Sequence, residues 1–124
     1  MLLIVVLTGC TDDEEPGISN IDWNNKDARA EQVVNALLNG DYSIVTEGFN
    51  EDMADALSVR QLRHNWLSMV RATGKFISIE GTDFNEHEGY EIYDVVTNHE
   101  NRNMNIRVVF DEDGQIAGFF FAFA

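Results

Sequence analysis

Asp94 is the acid in this chain whose neighbours best suit it to proton chemistry. It shares a strand face with Ile92 and Val96, and apolar flanks that exclude water raise a carboxyl pKa toward the range of a general base. Arg107 and Asn105 are placed to face it from the next strand. The competing reading is an exposed cross-strand pair of Asp94 with Arg107, worth about 0.2–1 kcal/mol. No second acid or base can be named beside Asp94, so catalysis is not the expectation. His64, His87 and His99 share no ligand spacing, and His64 is expected at the surface. Glu86-His87-Glu88 reads as a solvated turn in preference to a cation site. Asp111-Glu112-Asp113-Gly114 opens like a calcium loop but lacks the later glutamate, and fits a hairpin turn better. No metal and no cofactor is implied.

The second reactive group is Cys10, the only cysteine. Leu7-Thr8-Gly9-Cys10 resembles the lipobox of bacterial and some archaeal lipoproteins, where small residues admit a signal peptidase and the thiol then takes diacylglycerol. The apolar run Leu2–Leu7 is far below the ~20 residues of a membrane span. It is short and has no basic residues ahead of it, a pattern expected of a leader whose start is truncated. The resemblance implies a signal peptide over Met1–Gly9, lipid on Cys10, and anchorage to the extracytoplasmic face of a cell membrane. Cys10–Asn24 opens with four acids and Pro16-Gly17, a composition that cannot bury a core and reads as a tether. Asn25–Ala124 is then one domain.

Charge narrows the partners. Twenty-two acidic and 8 basic residues leave a formal charge of −14, which repels nucleic acid and anionic membrane surfaces. The bases are unevenly spread: no acid falls between Ala56 and Ile79, where Arg60, Arg63, Arg71 and Lys75 cluster. A solvated helix face is the reading there, ahead of an anion or partner site.

The elements that position these groups are helices first and strands afterwards. Ala30, Val33, Val34, Leu37 and Leu38 recur at helical spacing over about Asn25–Asn39, with Gly40 as the stop. Tyr42–Phe49 and Glu51–Leu57 read as short helices. Ser58–Thr73 is the longest, opened by a Ser58–Gln61 capping box, closed by Gly74, and striped by Leu62, Trp66, Met69 and Val70. Strands follow over Lys75–Phe84, where Gly81 can bulge the chain, and over Tyr90–His99, where Tyr93, Val95 and Thr97 alternate with Ile92, Asp94 and Val96. Met104–Phe110 and Gln115–Phe123 form the clearest hairpin, joined at Asp113-Gly114. The class expected is α+β: N-terminal helices packed on a curved four-stranded antiparallel sheet.

That order resembles the cystatin-like, nuclear-transport-factor-2-like cone fold. Phe49, Met53, Leu57-Ser58, Gln61-Leu62, Trp66, Gly74-Lys75-Phe76, Phe110-Asp111, Gly114, Ile116 and Gly118-Phe119 are similar to a family of uncharacterised domains found in secreted lipoproteins and ahead of α/β-hydrolases. The resemblance covers about Ala28–Phe123. It implies a pocket between helices and sheet, in which some members of the wider superfamily place an Asp or His base, so the rival function is a pocket enzyme of isomerase or hydratase type using Asp94. No Gly-x-Ser-x-Gly elbow is present, so the role implied is an accessory or association module.

The phenylalanines carry the binding expectation. Phe119, Phe121 and Phe123 fall on one face of the last strand and Phe120 on the other. Helices can shield one set, and the remainder should meet another molecule. A homodimer through the sheet face is the first expectation, docking to a larger envelope protein an alternative. A small apolar ligand, lined by Trp66, Met69 and Tyr93, is the second.

Overall fold

The computed structural model describes residues 21–124. The leader, Cys10 and most of the tether lie outside the described residues. Four helices precede four strands: α1 (Arg29–Leu38), α2 (Tyr42–Glu47), α3 (Glu51–Ala56), α4 (Val59–Thr73), β1 (Phe76–His87), β2 (Tyr90–His99), β3 (Met104–Phe110) and β4 (Ile116–Phe123). The strands form an open antiparallel meander in the order β1-β2-β3-β4, and the helices pack on one face. The expected α+β class is the one observed.

Local chemistry explains most boundaries. The capping box forms as expected: Ser58 Oγ accepts from the Gln61 N–H at 3.2 Å, and Gln61 Oε1 accepts from the Ser58 N–H at 2.9 Å. Asn50 caps α3 by accepting from the Met53 N–H at 2.9 Å. α1 starts four residues later than its periodicity suggests. Asp22 accepts from the Asn24 N–H and Asn25 from the Asp27 N–H, both at 3.2 Å, and these side-chain turns compete with the helix. Phe49 leaves α2 to make a parallel bridge with Ile116, so that helix ends early.

β1 runs on to His87, past the turn expected at Glu86, because Glu88 and Gly89 both take positive φ, 52° and 86°, as a two-residue hairpin turn requires. Register shifts on either side of Ser78 and Ile79 bear out an irregularity near Gly81. At the β3–β4 turn, Asp111 Oδ1 accepts from the N–H groups of Asp113 and Gln115 at 2.9 and 3.0 Å, and Gly114 has φ +79°. That carboxylate is spent on the hairpin.

Alternation sorts the sheet into two faces. Tyr93, Val95, Thr97 and His99 of β2 and Met104, Ile106, Val108 and Phe110 of β3 are buried toward the helices, against Val33, Val34, Leu37, Leu62 and Trp66. Ile92, Asp94, Val96, Asn105, Arg107 and Val109 face away. Among the described residues, the helix that borders that outer face is α3, whose Asp52 lies beside Phe120 and Tyr90.

Candidate functional site

On the outer face, β2–β3 register sets Asp94 opposite Arg107. Arg107 donates from Nε to Oδ1 at 2.8 Å and from Nη2 to Oδ2 at 2.9 Å, and Asn105 Nδ2 donates to Oδ1 at 3.1 Å. Three charge-assisted bonds favour the anion over its acid. The Arg107 hydrogen bond, first, then Asn105 and the guanidinium charge, hold the carboxyl below the usual aspartate range against an opposing effect of burial. The expected raised pKa is therefore reversed, and the partners expected across the strands are the reason. Asp94 also points away from the helices, outside any pocket they enclose.

The inner face holds the apolar groups. Trp66 is buried and packs on Phe121, ring centroids 5.6 Å apart; Phe121 meets Phe119 edge-on at 5.3 Å. Met69, Phe119 and Phe121, with Met53, Leu57 and the amide of Asn65, line a cavity of about 540 Å³ between α3, α4 and β4. Tyr93 is not part of it. Its hydroxyl donates to the Lys26 carbonyl at 2.9 Å, and its ring packs edge-on against Phe110 at 5.7 Å. Burial, then the charge of Glu91, pushes its phenol pKa up. Phe123 sits at the sheet's end under the Arg102 guanidinium, 4.0 Å above its ring.

Helices thus cover Phe119 and Phe121, while Phe120 on the outer face is 57% exposed and Phe123, at the far end of the strand, 46%. Around it the outer face offers Tyr90, Ile92, Val109 and Ala117, which line a cavity of about 340 Å³ with Phe120.

Two buried side chains, Arg29 and His99, were not singled out by the sequence pattern. Arg29 is 3% exposed: it donates to Glu91 at 2.7 Å and to the Trp23 carbonyl at 3.2 Å, and lies 3.9 Å over the Phe110 ring. Lys26 joins Glu91 from the solvent side at 3.6 Å. His99 is buried between the Thr97 hydroxyl, 2.8 Å from Nε2, and the Gly74 carbonyl, 3.1 Å from Nδ1. An arginine on the apolar side of an amphipathic helix was the available clue for the first pair; its partner lies 62 positions away. His64 and His87 are exposed. Among the described residues, no three His, Cys, Asp or Glu side chains converge to hold a metal ion.

Comparison with curated proteins and with solved structures returns no match. A family model does match, over residues 30–119, from Ala30, the first apolar position of α1, to Phe119 on β4. By that match over most of its length, the chain belongs to the family described as a protein of unknown function, DUF3887.

Proposed function

We propose that this is a binding and assembly domain of cystatin-like, nuclear-transport-factor-2-like type, held by lipid on Cys10 at the extracytoplasmic face of a cell membrane. It pairs with a second copy through the outer face of its sheet. The observation that supports this reading is the apolar outer face around Phe120, with Tyr90 44% exposed beside it and the start of α3, at Asn50 and Asp52, on its rim. A patch of aromatic and branched side chains gains by leaving water, and a flat sheet face meets its own copy isologously. The Asp94–Arg107 pair and Asn105 would sit within that interface and set its register.

The isomerase or hydratase alternative requires Asp94 to accept a proton. A carboxylate held by three hydrogen bonds and shifted to lower pKa is poorly suited to that.

Light scattering on the full chain tests the reading. A dimer is expected, reduced to monomer by Phe120→Asp, which buries a charge without a partner at the contact. A monomeric wild type, or a dimer that survives the substitution, overturns it. Cys10→Ser should release the protein from membranes to the soluble fraction; retention there would refute the lipid anchor.

A further inference from the structure

The two edges of the sheet are treated differently. β1 is an edge strand broken by register shifts and carrying Glu80, Asp83 and Glu86, features that discourage another strand from adding. β4 is the other edge, and its sequence IAGFFFAF has no charge and no proline. Among the described residues its start alone is occupied: the Ile116 N–H donates to the Gly48 carbonyl, and the Asn50 N–H donates to the Ile116 carbonyl at 2.9 Å. α3 then begins at Glu51 and that column of hydrogen bonds stops.

The register shows where the remaining backbone groups of β4 point. The Ala124 N–H donates to the Asn103 carbonyl at 3.0 Å, which makes that opposed pair a hydrogen-bonded one. Hydrogen-bonded pairs alternate along an antiparallel ladder. Ala122–Asn105, Phe120–Arg107 and Gly118–Val109 are therefore bonded to β3, and the N–H and C=O groups of Phe119, Phe121 and Phe123 face outward along the free edge. No described residue bonds them. The cavity of about 540 Å³ lies over this edge, because Phe120 of the outer face lines it together with Phe119 and Phe121 of the inner one. Its walls are Met53 and Leu57 of α3 and Met69 of α4.

From this we infer that the β4 edge is a strand-addition site for an extended segment of another protein, apolar at alternate positions and bearing a lysine or arginine at the end near α3. Outward backbone groups two residues apart match a strand and nothing smaller. A free apolar ligand would bury them without partners. Alternate side chains of the guest fall on the methionines and leucine of the groove, which adapt to varied shapes. The charge follows from Glu51, Asp52 and Asp55 on exposed positions of α3 beside the edge. Those acids favour a basic flank and disfavour a second copy, whose own α3 would bring the same charges against them. The site shares Phe120 with the outer-face contact but uses the backbone edge of the strand and not its face, so the two readings can fail separately.

The test uses the full chain and a blocked, fluorescein-labelled peptide that alternates valine with threonine and ends in lysine. Saturable binding is expected by anisotropy, weakened about tenfold or more by Met69→Glu, which leaves a carboxylate facing the guest's apolar side chains. Hydrogen exchange by NMR on the wild type needs no variant. The peptide should slow exchange at the amides of Phe119, Phe121 and Phe123 and leave Gly118, Phe120 and Ala122 unchanged. No saturable binding, unaltered binding by the Met69 variant, or slowing in the other set overturns the inference. So does dissociation of the dimer by the peptide, which would make the edge a contact between copies. A molar mass unchanged by the peptide, with the expected set protected, supports it whether or not the outer-face dimer exists.

Discussion

Two ion pairs lie on opposite faces of one sheet, and the one with the better geometry matters less. Arg107 grips Asp94 through both oxygens, yet their side chains are 47% and 23% exposed. Arg29 reaches Glu91 through one nitrogen, but its side chain is 4% exposed and Glu91's 16%. Exposed pairs are screened and gain little, whereas breaking a buried pair leaves a charge with neither partner nor water. Arg29 also spreads over Phe110 and reaches the Trp23 carbonyl, while its Nε is buried without a partner. That unpaired Nε tightens its dependence on the bonds it does make. Burial, more than bond count, decides what each pair contributes.

The largest effect should come from the inner pair. Arg29→Ala is expected to destabilise the fold by about 3–5 kcal/mol in chemical denaturation, leaving Glu91 with the more distant, exposed Lys26 as its cation and uncovering Phe110. A loss under about 1 kcal/mol would erase the contrast between the faces. Tyr93 reports on the same corner without unfolding it. Its phenol should ionise above the ordinary tyrosine range in an ultraviolet titration, and Glu91→Gln should bring it part of the way back, since burial is the larger cause and Glu91 the next. Because the folded pKa is raised, its contribution is complete below the unfolded value near 10 and lost as pH rises through the folded one. A Tyr93 phenol that ionises in the ordinary tyrosine range would contradict that.

Asp94→Asn should change least. About 0.2–1 kcal/mol is expected at neutral pH. The sign of its pH dependence is opposite to that of Tyr93. With the folded pKa lowered, the pair's contribution is present above the unfolded value near 4 and disappears as pH falls through the folded one. Wild type and Asp94→Asn should converge in stability toward low pH. A gap that stays constant with pH would mean the carboxylate is not what the substitution removes.

Much of the architecture was legible residue by residue, because it rests on contacts a few positions apart. Ser58 with Gln61, the apolar stripe of α4, the alternation of β2 and β3, and Gly114 in its turn are all satisfied locally, and each formed where the pattern placed it. The late start of α1 had a signal too, in the Asp22 and Asn25 side chains. The Asp94 partners were legible from strand alternation, but the direction of the pKa shift was not: flanking apolar residues suggested burial, and the count of donors won instead.

The amino-acid order alone determined that β4 carries two sets of phenylalanines and that both are apolar, since side chains alternate along any strand. Which set the helices cover was decided only in three dimensions. The register shift beside Val109 and Phe110 sets the parity that turns Phe119 and Phe121 toward Trp66 and leaves Phe120 in solvent. The same pairing determines which amides of β4 face the open edge. The Arg29–Glu91 pair is of that kind as well: neither residue encodes the other, and only the packing of α1 across the sheet brings them within hydrogen-bonding distance and excludes the water that would otherwise screen them.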